Sequence, residues 1–272
     1  MTYEAEISRL NPACFVFLID RSTSMMQSIG GGTEPKKEVV ADALNRLLYT
    51  LVGRCVRESD VHDFFHVGVI GYGKGAGPIL GGPLAGSELV TASELAHNPA
   101  KVKRRTRDGL ASEAPVWVDA LADGLTPMTE ALNRAHDLLE EWVDEHPKSF
   151  PPIVLNLTDG EPTDGDPAEA GQRVRALRTS DGAALLFNLH ISSVHHVPVS
   201  FPATGDGLTE SGRRLFAMSS PLPDSMLAYA KELGVSAEPG SRGFVYNGEI
   251  GDIVQFLDIG TRLHAAHGGS ER

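Results

Sequence analysis

The chain predicts a doubly wound α/β fold, a mostly parallel central sheet with helices on both faces, and three observations carry that prediction. ACFVFLI (13–19) and IVLNL (153–157) are nearly unbroken apolar runs, the pattern of strands buried on both faces. Strand patterns alternate with helical ones along the chain, which builds a parallel sheet through crossover helices. Both apolar runs lead into an aspartate, Asp20 and Asp159, at the strand ends where open α/β sheets collect their ligands.

The elements follow in order. After the first strand the chain is loop-like through GGGTEP. Val39, Val40, Ala43, Leu44, Leu47, Leu48, Leu51, Val52, Cys55 and Val56 then recur at helical spacing, predicting an amphipathic helix over 36–56. FFHVGVIGYG (64–73) is the next strand, and GPILGGPL (77–84) pairs with it as one short antiparallel edge strand. Residues 85–114 lack periodicity and read as a surface excursion with a short helical turn. Pro127 suits a first helical position, with Thr126 as N-cap, and Met128, Ala131, Leu132, Ala135, Leu138, Leu139, Trp142 and Val143 form that helix's buried face. Asp166, Pro167 and Glu169 suggest a capping box for a helix to about 178. ALLFNLHISS (184–193) is a strand, 210–218 a helix, and 224–233 a helix closed by Gly234. GFVYN (243–247) and IGDIVQFLDIGTRL (250–263) supply the last strand and helix.

With no linker and no internal repeat, the 272 residues read as one domain over 1–272 with its core at about 13–263. The formal net charge of -12 argues against nucleic acid as a partner, since phosphate binding needs a basic face. KVKRRTR (101–107), the one dense basic run, reads as a solvated loop. Cys14 and Cys55 are too few for a disulfide framework or a cysteine-based zinc site, and Cys55 falls on a helix's apolar face as a buried thiol. MTYEAEISRL has neither the basic nor the apolar region of a signal peptide, and no apolar run reaches the ~18 residues of a membrane span. The expectation is a soluble cytoplasmic protein.

Five oxygen-bearing residues then stand out: Asp20, Ser22 and Ser24 after the first strand, Thr126 in GLTPM, and Asp159 in IVLNLTDG. Two carboxylates and three hydroxyls suit a hard divalent cation, Mg²⁺ first, with Mn²⁺ or Ca²⁺ as substitutes. The D-x-S-x-S spacing puts one carboxylate and two hydroxyls on a single loop that curls round a small ion. Two carboxylates only neutralise a divalent ion, so such a site still attracts one further anionic oxygen. It is therefore a receptor for a protein partner's Asp or Glu side chain.

DRSTS (20–24), LTPM with Thr126, and LTDGEPTDGD with Asp159 resemble the metal-ion-dependent adhesion site of von Willebrand factor type A domains. The resemblance spans about 13–263. TDGEPTD and the lead-in PKSFPP (147–152) are most similar to the bacterial tellurite-resistance TerY-type branch. That resemblance implies a Rossmann-like fold and an intracellular, non-catalytic binding module in a stress-response or signalling assembly. Its partner would be a kinase, a phosphatase or an AAA+ ATPase. Stretches at about 74–118 and 195–223 are longer than the family's minimal domain and read as surface insertions. Glu161, Asp164 and Asp166, which crowd the third loop, read as caps of the following helix.

Several competing motifs fail. GVIGYGKG (68–75) has the Gly68 and Gly73-Lys74 spacing of a phosphate-binding P-loop, but Gly75 replaces the Ser/Thr and the run lies within a strand. DRSTS also resembles the first loop of haloacid dehalogenase-type phosphotransferases, in which Asp20 would be the nucleophile; this is the alternative function. Ser22 occupies the place of that family's second acid, and no lysine and later acidic pair is assignable. His190, His195 and His196 lack a zinc motif and read as strand or surface histidines. No Ser-His-Asp triad or G-x-S-x-G is legible.

Overall fold

In the computed structural model, which describes residues 3–107 and 110–262, the sheet strands in chain order are β1 (Ala13–Asp20), β2 (Phe65–Tyr72), β3 (Ala76–Pro78), β4 (Val90–Thr91), β5 (Ile153–Thr158), β6 (Leu185–Ile191), β7 (Val199–Ser200) and β8 (Phe244–Gly248). The helices are α1 (Lys36–Cys55), α2 (Ala92–His97), α3 (Met128–Glu145), α4 (Ala168–Ala176), α5 (Glu210–Met218), α6 (Asp224–Glu232) and α7 (Ile250–Gly260). The strands join in the order β7-β8-β6-β5-β1-β2-β3, with β4 also on β2. β2, β1, β5, β6 and β8 run parallel. This is the doubly wound α/β architecture that the sequence predicts.

Every residue of β1 is buried, because the strand serves two cores. Phe15, Phe17 and Ile19 face one apolar layer, which α1, α6 and α7 complete. Cys14, Val16 and Leu18 face the other, completed by α3, α4 and α5. Alternate side chains leave opposite faces of a strand, so a run with helices on both sides has no position for a polar residue. Both cysteines are buried free thiols, and burial pushes the Cys55 thiol up to about 11.

The chain leaves β1 toward β2 on one side and returns through β5 on the other. The topological switch point therefore lies between β1 and β5. Ile19 pairs with Leu157 across that seam, which brings Asp20 and Thr158 to the same rim.

The sequence missed five details of this frame. The expected edge strand covers only β3, and β4 and β7 add two more short antiparallel strands, formed by two-residue pairings too brief to show a periodicity. KVKRRTR is not a loop: Lys101–Arg107 pairs antiparallel with Leu110–Val116, from Lys101 opposite Val116 to Arg107 opposite Leu110. Cross-strand pairing supplies the backbone partners there, and the side chains of 101–104 stay exposed; Arg104 pairs with Glu113 and Val102 is half exposed. α2 is capped by a Thr91–Glu94 box. α4 ends at Ala176, two residues early, because Arg178–Thr179 pairs with Gly182–Ala183. The last helix stops at Gly260, and Leu263 of the predicted span lies outside the described residues.

The buried Asn45 of α1 anchors the segment leading to the second rim loop. Its Oδ1 accepts from the Trp117 and Val118 N–H groups at 2.8 and 3.1 Å, and its Nδ2 donates to the Val118 carbonyl at 2.9 Å. Truncating it strands two buried N–H donors. Asn45→Ala is expected to lower stability by about 2–4 kcal/mol in urea unfolding; a loss under about 0.5 kcal/mol would contradict this anchoring.

Candidate functional site

Three loops meet at the rim, and backbone hydrogen bonds hold them there. The Arg21 N–H donates to the Tyr72 carbonyl at 2.7 Å, fastening the first loop to the end of β2. The Asp123 N–H donates to the Arg21 carbonyl at 2.6 Å, and the Thr23 N–H to the Gly124 carbonyl at 3.1 Å, fastening the second loop to the first. The Leu125 N–H reaches the Gly73 carbonyl at 3.1 Å. Here the near P-loop glycine finds its use: a Cβ on Gly73 would stand 2.4 Å from the Asp123 carbonyl oxygen. Gly124, at φ +98°, packs against it from the other side. The glycines of this run let two loops touch.

The third loop joins through Thr126 and Thr163, which exchange hydrogen bonds. The Thr126 N–H donates to the Thr163 Oγ1, and the Thr163 N–H donates to the Thr126 carbonyl, both at 3.0 Å. Thr126 is therefore not the N-cap expected of it. α3 begins one residue later, at Met128, because Pro127 has ψ 67° and stands outside the helix. The free N–H groups of its first turn go to Asp164, whose carboxylate accepts from Thr129 at 3.1 Å and Glu130 at 2.8 Å. Asp164 thus caps α3 from across the rim, whereas Asp166 caps α4 locally through the Ala168 N–H. Relieved of capping, the Thr126 side chain lies against Gly160, the residue that follows Asp159 in the chain.

Four of the five predicted residues, Asp20, Ser22, Ser24 and Asp159, then come together. Ser22 Oγ and Ser24 Oγ share a hydrogen bond of 2.9 Å. Ser24 Oγ donates to Asp159 Oδ1 at 2.7 Å, with Ser22 Oγ 3.5 Å from the same oxygen. Asp20 Oδ1 accepts from the Ser22 N–H at 2.8 Å, and Oδ2 from Thr158 Oγ1 at 2.7 Å. Asp20, Ser22 and Thr126 are buried, and Ser24 is half-buried toward solvent. Burial is the main reason the Asp20 carboxyl is pushed up to about 6; the Asp159 charge adds to it, and hydrogen bonds from Ser22 and Thr158 pull the other way.

Two residues of the cluster escaped the sequence reading. Thr158 looks like a plain strand terminus, yet it ties β5 to Asp20. Lys36 looks like a surface lysine at a helix start, but its Nζ lies 2.6 Å from Asp159 Oδ2 with both side chains out of water. Nothing in local sequence marks either, apart from the loop chemistry around them.

These donors are all hard oxygens, two from carboxylates, and they fit Mg²⁺ or Mn²⁺ better than Ca²⁺, which gathers more oxygens. Among the described residues no three His, Cys, Asp or Glu side chains form a metal-holding group. His190 stacks on Tyr246, and burial pushes its imidazole down to about 4, leaving it neutral. His195 is exposed and meets Glu249 at 2.6 Å; His196 is exposed.

No protein-family model matches the chain, and no curated protein does. Among solved structures it is similar to the PilB minor pilin from Streptococcus sanguinis, at 12% identity and TM-score 0.49 over 92% of this chain and 60% of that one. It is also similar to manganese-loaded TRAP protein of Plasmodium vivax, at 17% identity and TM-score 0.44 over 94% and 76% of the two chains. The ArnB paralog VWA2 from Sulfolobus acidocaldarius follows at 12% identity and TM-score 0.35, over 71% and 39%. The chain thus spans about three fifths of the pilin's length.

Asp20 makes a pH dependence testable. Its folded carboxyl, at about 6, binds a proton more tightly than the unfolded one near 3.8. Protein stripped of divalent ions therefore loses stability as pH rises from about 4 to about 6, and Asp20→Asn escapes that loss. The stability difference in favour of Asp20→Asn is expected to widen by about 3 kcal/mol across this window, in urea unfolding with EDTA. A difference that stays flat between pH 4 and 7 would refute it.

Proposed function

We propose that this chain is a non-catalytic protein-binding module in which Asp20, Ser22, Ser24, Thr126 and Asp159 hold Mg²⁺ so that an Asp or Glu side chain of a partner protein is captured. The observation that carries this reading is the meeting of Ser22, Ser24 and Asp159 oxygens within 2.7–3.5 Å of one another at the switch point. Asp20 stands immediately behind them, its carboxyl pushed up by burial and by the neighbouring Asp159 charge. Bound there, the ion supplies a positive pole for a carboxylate oxygen. Asp20 and Asp159 would supply its anionic oxygens, while the serine and threonine hydroxyls would add to its oxygen shell without adding charge.

The surroundings favour a protein over a free small anion. Met26 on the first loop and Leu125 on the second are 55% and 66% exposed, flanking a polar centre with apolar side chains. Apolar contact around a polar anchor is how a protein interface gains area that a small anion does not use. By the resemblance in its loop motifs, the partner would belong to an intracellular assembly of the TerY type, with a kinase, phosphatase or AAA+ ATPase as the acidic protein. A phosphotransferase using Asp20 as nucleophile is less well supported, since Asp20 is 1% exposed and both its oxygens already accept hydrogen bonds.

Immobilised protein is expected to capture its partner from native extract in Mg²⁺ and to release it in EDTA. Asp20→Ala should abolish capture with the fold intact by circular dichroism, and Leu125→Ser should weaken it several-fold. Capture that persists in EDTA would overturn the metal bridge. Mg²⁺-dependent turnover of a phosphate ester, lost in Asp20→Ala, would replace the binding module with the enzyme.

A further inference from the structure

Lysine is seldom fully buried, because its ammonium gives up strong hydration unless a partner replaces it. Lys36 is 1% exposed. It opens α1, and its backbone N–H donates to the Gln27 carbonyl at 2.9 Å, closing the first loop. Its Nζ reaches Asp159 Oδ2 at 2.6 Å, and that carboxylate is itself shielded from solvent. Asp159 therefore faces two ways: Oδ1 toward Ser22 and Ser24, Oδ2 toward the ammonium.

The consequence lies in the charge count. Asp20 and Asp159 bring two negative charges to the cluster and Lys36 returns one positive. A divalent cation added to the remaining single negative charge leaves an excess positive charge in a site shielded from water. One carboxylate from outside cancels it. Without Lys36 the metal-loaded site would already be neutral and would have less need of an added anion.

We propose that Lys36 is a built-in countercharge that makes metal and partner carboxylate bind interdependently: the ion is held weakly until an acidic side chain arrives, and the acidic side chain is held only with the ion. The proposal rests on the metal-site reading given above and adds to it the origin of the coupling. Linkage makes the effect reciprocal, so the carboxylate strengthens ion binding by the same factor as the ion strengthens carboxylate binding. Lys36 is a positioning residue in this scheme. It touches neither the ion nor the partner and acts through Asp159.

The test uses the full chain, Mn²⁺ as the ion and acetate as the carboxylate, with chloride replacing acetate at constant ionic strength. Free Mn²⁺ is read by electron paramagnetic resonance. For wild type, saturating acetate is expected to tighten Mn²⁺ binding on the order of tenfold or more, within the usual range of coupling between sites. Lys36→Gln retains a hydrogen-bond donor toward Asp159 but not the charge. It is expected to bind Mn²⁺ about tenfold more tightly than wild type without acetate, and to show little further gain with it. Equal acetate enhancement in Lys36→Gln and wild type would overturn the role of Lys36 while leaving the metal site standing. No acetate enhancement in wild type would overturn the coupling without needing any variant. If Mn²⁺ fails to bind wild type, or binds Asp20→Ala equally well, the metal site itself falls and the coupling with it. Should Lys36→Gln not fold, Lys36→Met is measured in its place against the same expectations.

Discussion

The Thr158 hydroxyl donating to Asp20 Oδ2 at 2.7 Å is the contact on which the rest of this rim depends. It ties the ends of β1 and β5 across the switch point, where the pairing of Ile19 with Leu157 has already brought Asp20 and Asp159 to one rim. β1 and β5 are parallel, and because the chain winds outward from them in opposite directions a crevice is left at their carboxyl ends. In this chain the crevice is roofed by loops that are themselves hydrogen-bonded to each other. A change at Thr158 would loosen Asp20 and also the turn through Gly160 that carries Asp159.

Crowding acidic and hydroxyl oxygens in such a place carries an electrostatic cost. Asp20 loses hydration and feels Asp159, and its carboxyl is raised as a result. Asp159 sits equally deep, but Lys36 compensates it. The two carboxylates thus differ in what balances them, one having a resident cation and the other only hydrogen-bond donors. That asymmetry fits a site whose charge is completed from outside.

How much of this was legible from residues alone depends on the range of the interaction concerned. The buried strands were legible, because ACFVFLI and IVLNL each need apolar side chains on both faces whatever their neighbours. α1, α5, α6 and the last strand were legible to within a residue or two, since helical spacing and Gly234 are local signals. Asp20, Ser22, Ser24 and Asp159 could be singled out because each follows an apolar strand run and the D-x-S-x-S spacing is local, whereas the approach of Ser22 and Ser24 to Asp159 is tertiary. The ribbon at Lys101–Arg107 was not, since a charged strand acquires its identity only from the segment opposite it. Capping of α3 by Asp164 was equally hidden, because the capping side chain lies 34 residues or more along the chain from the N–H groups it serves.

The sequence by itself determined the layered α/β architecture, the positions of the strand-end acids and the hard-oxygen character of the cluster, all of which follow from residue type and near-neighbour pattern. Tertiary structure alone decided that Thr126 gives up capping to face the third loop, and that Gly73 and Gly124 form a seam between loops. It alone decided that Lys36 turns inward to Asp159. Each of those depends on two segments far apart in the chain arriving at the same point, and no local pattern encodes where a distant segment will be.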